Sequence, residues 1–233
     1  MELAGERSLA SVGMLTAIEP NVVREIERLC VWETHKPGEW LFERGHDSNH
    51  VFFVLSGTVR VLNYSATGRV VRFASVGPGG MFGELAAIDG LPRSATVVAD
   101  KPVTLAKLTA KDFRRMIEGS PPFAMSVIKR MAQVVRACDE QIMDLAELNA
   151  SQRVCLQLLR LASPDPISTG NWVVYPLPTQ ASLAGDAGTT RETVARVLGR
   201  LATQGLVQRK GRSLYIRDRD RLEGMAVREQ GDT

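Results

Sequence analysis

The stretch that decides the fold is "MFGELAAIDGLPRSATVVAD", residues 81–100. Glu84 directly follows Phe82-Gly83, and Arg93 stands nine residues later inside a Pro-Arg-Ser-Ala turn. In a plain β-rich core such charges would be idle, and an unpaired buried charge is costly. A small, anionic, hydroxylated partner would give both of them a task. A mutual Glu84–Arg93 ion pair inside a structural turn is the plainer alternative.

Working outward, short β-rich runs recur from Val31 to about Leu108: "EWLFERG", "HVFFVLSGTVRVLNYS", "RVVRFASVG" and "SATVVADKPVTLAKL". Their β-branched and aromatic residues, bounded by turn formers, predict strands. Ala66-Thr67-Gly68-Arg69 reads as a hairpin turn and Gly77-Pro78-Gly79-Gly80 as a second turn. Many short strands at this spacing predict a sandwich or barrel. Ahead of them, residues 9–30 read as helical, with Leu15, Ile18, Val22, Ile26 and Leu29 at helical spacing.

After Lys107 the pattern turns helical again. "AKDFRRMIEGS" ends at Gly119, and Pro121-Pro122 suits the first turn of a new helix reaching Leu148. That helix carries Ala124, Val127, Met131, Val134, Cys138, Ile142, Leu145 and Leu148 at steps of mostly three and four, which predicts a coiled-coil seam and a homodimer. The alternative is a long helix packed on its own domain. Asn149 or Ser151 can cap the next helix, "SQRVCLQLLRLAS", which ends before Pro164. A polar loop from Ser163 to Gly170 and a short strand "WVVYPL" follow.

"TQASLAGDAGTTRETVARVLGRLATQGLVQRKGRSLYI" carries the second strong signal. Thr179 can cap a helix over residues 180–186, Gly188 permits a tight turn, and Thr189 or Thr190 caps a second helix. Glu192 in its first turn suits the helix dipole. Val194, Val197, Leu198 and Leu201 form the inward face, while Arg191, Glu192 and Arg196 project outward. This is the pattern of a helix-turn-helix with a recognition helix from about Thr190. An arginine can hold guanine by two bonds and a glutamate can accept from cytosine. "GLVQRKGRSLYIRD" reads as a two-stranded wing with Arg209, Lys210 and Arg212 at its tip, suited to phosphates. A helical hairpin for protein contacts is the alternative.

Charge agrees with this division. Residues 1–149 hold 17 Lys/Arg and 18 Asp/Glu, residues 150–233 hold 12 and 8, so the second part alone is basic and suits a polyanion. Cys30, Cys138 and Cys155 are far apart and lack metal-ligand spacing, so neither a disulfide framework nor a metal is expected. No leader-like N-terminus and no apolar run of ~20 residues stands out, which points to a cytoplasmic protein away from membranes.

In this order and spacing, the chain resembles the Crp–Fnr family of bacterial transcription regulators over nearly its whole length. The likeness rests on Phe82-Gly83-Glu84-Leu85, Arg93-Ser94-Ala95, the long helix and "TTRETVARVL". It implies an α+β fold: a cyclic-nucleotide-binding β-roll (jelly roll) with an N-terminal helix over 1–120, a dimerisation helix and hinge over 121–149, and a winged helix-turn-helix over 150–233. It implies a non-enzymatic regulator in which cAMP or cGMP acts as allosteric ligand. Gly83 would let backbone approach that ligand, and Glu84 would accept from the ribose 2′-hydroxyl. Arg93 would neutralise the cyclic phosphate, with Leu85, Ser94 and Ala95 beside them. Arg191, Glu192 and Arg196 match the family's base-reading residues, implying a TGTGA-type palindrome in double-stranded DNA. Gln180 matches a phosphate contact, and RNA polymerase becomes an expected partner.

The pattern departs from the cAMP-responding type at the dimer helix. Where that type offers the base a Thr-Ser pair, this chain has Cys138-Asp139. A thiol bonds weakly, whereas Asp139 could accept from adenine's amino group or from guanine's N1–H and amino group. In related cyclic-nucleotide domains a hydroxyl after the arginine helps bind guanine, and Ser94 holds that place here. A regulator of the same fold answering to another effector, or to none, is the alternative. An N-terminal iron–sulfur cluster lacks cysteines, and His35, His46 and His50 read as surface loop residues rather than haem or hydrolase ligands.

Overall fold

A computed structural model describes residues 8–10, 12–16, 18–64, 70–166 and 171–227. The chain divides into two compact units, one up to Arg136 and one from Ala137.

The first unit does not open with one helix over 9–30. It forms a single 3-10 turn, Gly13–Leu15, and then α1 (Pro20–Leu29). Proline has no amide hydrogen to give and so stands at the helix start rather than inside it. Leu15, Ile18 and Ile26 are buried as the spacing requires.

The strands are β1 (Val31–His35), β2 (Trp40–Phe42), β3 (Val51–Ser56), β4 (Val59–Tyr64), β5 (Val70–Val76) and β6 (Met81–Phe82). After α2 (Glu84–Asp89) come β7 (Thr96–Ala99) and β8 (Val103–Leu108). They form two antiparallel four-stranded sheets, in order β1-β8-β3-β6 and β2-β7-β4-β5. β4 and β5 pair as the predicted hairpin, whose turn at 66–69 lies outside the described residues. Neighbouring residues of a strand face opposite sides, and β3 shows why the sheets stack. Its Phe52 and Val54 join Val59, Phe82, Val97 and Leu105 in a core of residues drawn from both sheets. Its Val51 and Phe53 face a second core with Ile26, Phe113, Met116 and Phe123, drawn from α1, α3 (Ala110–Gly119) and α4 (Pro121–Glu147).

α4 differs from the predicted seam. Val127 and Phe123 are buried in the first unit's own core, and Val134 is half-buried. The exposed apolar face is shifted to Ile128, Val135, Ile142 and Leu145, with Cys138 exposed between them and Met131 half-buried. The steps from 128 through 131, 135, 138, 142 and 145 alternate three and four, the coiled-coil spacing. The sequence pattern merged two apolar faces, one turned to the roll and one left outward.

In the second unit Asn149 Oδ1 caps α5 (Ala150–Leu161) by accepting from the Gln152 amide, and the Asn149 amide donates back to Gln152 Oε1, completing a capping box. The expected polar loop holds a short strand, β9 (Ser163–Pro164), before β10 (Trp172–Val174); residues 167–170 lie outside the described residues. Then come α6 (Gln180–Asp186), α7 (Arg191–Thr203), β11 (Val207–Lys210) and β12 (Ser213–Ile216). The wing is therefore part of a four-stranded sheet, order β11-β12-β10-β9, rather than a two-stranded ribbon. α8 (Arg219–Val227) closes the described chain. Val154, Leu158, Leu183, Val194, Val197, Leu201, Leu214, Ile216 and Leu222 form one core.

Candidate effector pocket and DNA-reading face

The effector-side residues gather where β6 turns into α2. Gly83 adopts φ +84°, and a Cβ there would lie 2.8 Å from both Arg93 Nη1 and the His50 carbonyl. Only glycine tolerates that backbone and that approach without strain. Arg93 is 3% exposed. Its Nη1 donates to the Gly83 carbonyl (2.8 Å), Nη2 to the His50 carbonyl (2.7 Å) and Nε to Ser48 Oγ (3.1 Å). Its guanidinium carbon lies 3.9 Å from the centre of the Phe42 ring.

Every one of those acceptors is neutral. Among the described residues no carboxylate stands within ion-pair distance of Arg93, so the Glu84–Arg93 pair is not formed. Burial pulls the arginine down to about 10, with Glu84's charge opposing. Burial likewise pushes the Glu84 carboxyl up, against its own backbone amide, Arg130 and Arg93. A buried cation held by neutral groups, beside a glycine with no room for a Cβ and a half-buried carboxyl, is a set matched to an anion bearing a hydroxyl. Leu85 and Ser94 are exposed at the rim and Ala95 is buried. Cys138 and Asp139 lie on α4 in the second unit, both exposed.

The histidines differ from the expected surface loop. His35 lies on β1, with Nδ1 3.2 Å from Glu39 and Nε2 3.5 Å from Glu33, which also pairs with Lys107. His50 is half-buried, and burial, Lys107 and Arg93 lower its basicity. His46 is exposed as expected.

The DNA-side residues sit on α6, its turn, α7 and the hairpin. Thr179 Oγ1 caps α6 by accepting from the Ser182 amide (3.1 Å), and Thr190 Oγ1 caps α7 by accepting from Thr193 (3.2 Å). Gly188, at φ +57°, makes the turn between them. Val194, Val197 and Leu201 are buried, which turns Arg191, Glu192 and Arg196 to the open side. Glu192's carboxylate is favoured by its own backbone amide and by the Thr190 hydroxyl. Gln180 is half-buried at the start of α6. Arg209 and Lys210 end β11, where Arg209 Nε donates to the Gly211 carbonyl (3.2 Å) and Lys210 stands 5.7 Å from the Tyr215 ring. A capped, outward-facing helix with arginines in its first turns, beside a basic hairpin, is built for duplex DNA.

A β-roll of this kind, a long helix and a winged helix-turn-helix together define an effector-type DNA-binding regulator. Residues 32–120 match the cyclic nucleotide-binding domain and residues 152–225 the Crp-like helix-turn-helix domain. The chain is 31% identical to a cyclic AMP receptor protein of Thermus thermophilus, over 81% of this chain and 85% of that one. It is 27% identical to a CRP-like cAMP-activated global transcriptional regulator of Mycobacterium tuberculosis, over 92% of this chain and 96% of that one. A solved structure of the c-di-GMP responsive regulator CLP of Xanthomonas campestris shares the fold, with TM-score 0.72 at 18% identity, over 85% of this chain and 99% of that one. The chain belongs to the Crp–Fnr family of transcription regulators, a family of DNA-binding proteins rather than enzymes.

Sequence reading missed the residues that hold Arg93. Two of its acceptors, at Gly83 and His50, are backbone carbonyls, which any residue supplies and no pattern marks. Ser48 sits in a polar loop among similar residues. Arg130 stands outside the apolar pattern that marks α4, yet its charge acts on Glu84.

Proposed function

We propose that the protein is a homodimeric, sequence-specific transcription regulator controlled by a 3′,5′-cyclic nucleotide, cAMP or cGMP. The observation that carries this reading is the buried Arg93 cation with only neutral partners, set against Gly83 and near Glu84. The cyclic phosphate supplies the missing counter-charge, and the ribose 2′-hydroxyl donates to Glu84. Ser94 stands at the rim for the base, and the family resemblance assigns the choice between adenine and guanine to Cys138-Asp139. The cAMP-activated relatives favour cAMP, and Asp139 as an acceptor keeps cGMP open.

The exposed α4 stripe supports the homodimer, because a long apolar helix face needs a partner to bury it. Two copies of α7 then read a two-fold TGTGA-type palindrome whose half-sites lie one DNA turn, ~34 Å, apart. Arg191, Glu192 and Arg196 read bases, while Gln180, Thr190, Arg209 and Lys210 hold phosphates. The setting is cytoplasmic and RNA polymerase is the regulated partner.

A second reading keeps the DNA function but changes the effector. Two observations favour it: Arg93's three nitrogens already have acceptors, and a regulator of the same fold is described as c-di-GMP responsive. Calorimetric titration with cAMP, cGMP and c-di-GMP in parallel separates the two. Micromolar binding of a mononucleotide, lost in Arg93→Ala, sustains the first reading; silence from cAMP and cGMP removes it.

A further inference from the structure

The second unit contains a buttress that the base-reading and phosphate-holding residues do not explain. Arg153, in the first turns of α5, uses all three nitrogens of its guanidinium on backbone carbonyls. Nε donates to Ala187 (2.8 Å), Nη2 to Gly188 (3.3 Å) and Nη1 to Leu148 (2.5 Å). Ala187 and Gly188 are the residues immediately past the end of α6; Leu148 is the residue immediately past the end of α4. Carbonyls at helix C-termini lack intrahelical partners and carry partial negative charge. One cation therefore caps two helices at once.

Other contacts run along the same seam. Gln157 Nε2 donates to the Asp186 carbonyl (3.4 Å), and a Cβ on Gly188 would lie 3.0 Å from Leu145 Cδ2. Arg160 pairs with Asp144 (2.5 Å), joining α5 to α4 without touching the turn of the helix-turn-helix.

We propose that Arg153 is a positioning residue for DNA recognition: it fixes the turn between α6 and α7 against the last turn of α4, and so sets where the recognition helix points. The inference rests on the reading of DNA by α7. The geometry requires arginine. Three separate nitrogens in a planar fork meet three carbonyls, whereas a lysine offers the same charge from one atom. Charge alone at the two helix ends would survive in lysine; the triple attachment would not.

The test uses the full-length protein and a duplex enriched from a random pool by the wild type, with an unenriched duplex of equal length as reference. Wild type, Arg153→Gln, Arg153→Lys and Arg160→Gln are compared for affinity to both duplexes and for melting temperature. Arg153→Gln and Arg153→Lys are expected to lose about tenfold or more in affinity for the enriched duplex, a scale typical of coupling between elements. Their affinity for the reference duplex and their melting are expected to stay near wild type, as is Arg160→Gln throughout. Retention of enriched-duplex affinity by both Arg153 variants overturns the proposal. So does an equal loss on both duplexes, or unfolding of both variants before DNA is added, since each makes Arg153 a stability residue. Failure of the wild type to enrich any duplex is a different result: it removes the reading of DNA by α7, and the positioning role with it.

Discussion

At the scale of single residues, Glu84 gives the clearest pH signature. Its carboxyl is pushed up chiefly by burial, so it takes a proton at higher pH than an ordinary glutamate. Ionised, it is the stronger acceptor for a ribose hydroxyl. On the proposed reading, the ribose bond to it should be present above the raised pKa and lost as pH falls through it. Hydrogen bonds to charged groups contribute about 1.5–3 kcal/mol, so cyclic-nucleotide affinity should fall on the order of tenfold or more across that window. Calorimetry at several pH values should show the fall, and Glu84→Gln should flatten it. Without ligand the sign reverses. The folded chain holds this proton more tightly than the unfolded chain, so Glu84 favours the fold toward acid, and that contribution fades as pH rises. Gly83→Ala should cost at least about 1–2 kcal/mol in urea unfolding, the cost of a left-handed backbone for an L residue, and should abolish ligand binding. Wild-type binding by Gly83→Ala would show that the approach at this position does not matter. The two buried thiols are quiet: burial raises Cys30 to about 12 and Cys155 to about 11, keeping both protonated.

At the scale of elements, α7 and the wing should answer differently to truncation. Arg191→Ala should cost about 1–3 kcal/mol on the preferred sequence and little on others, measured by competition binding. Lys210→Ala should weaken all duplexes alike and lower the log–log salt slope by about 1. Equal loss on every sequence would demote Arg191 to a phosphate contact. How much was legible in the sequence also sorts by element. The start and the inward face of α7 are legible, because Thr190 is a cap, and Val194, Val197 and Leu201 mark one face. The hairpin and the Gly83–Arg93 segment were legible for the same reason: local chemistry dictates local backbone. α4 was legible as a helix but not in its orientation. Val127 and Ile128 are adjacent apolar residues, and only the packed first unit decides that the former turns inward. β9 was illegible, since Ser163-Pro164 has no strand propensity and exists only because β10 pairs with it.

At the scale of the whole molecule, assembly is the quantity to measure. Val135 is 58% exposed and Ile142 61%, in the middle of the outward stripe. A charge there would be buried without a partner in a dimer, at a cost far above that of an exposed site. Val135→Glu should therefore sediment as a monomer at micromolar concentration, where the wild type should sediment as a dimer. Its cooperative unfolding should persist, because among the described residues this side chain belongs to no core. A dimeric Val135→Glu would move the interface elsewhere.

The uninterrupted course of α4 has a mechanical consequence. At 1.5 Å per residue, a helix of 27 residues is a rod about 40 Å long. Tilting one end of such a rod by about 5° swings the far end through about 3.5 Å, close to the 3.4 Å rise of one nucleotide along a DNA strand. A rod of this length multiplies a tilt of a few degrees into a displacement on the scale of one DNA rung.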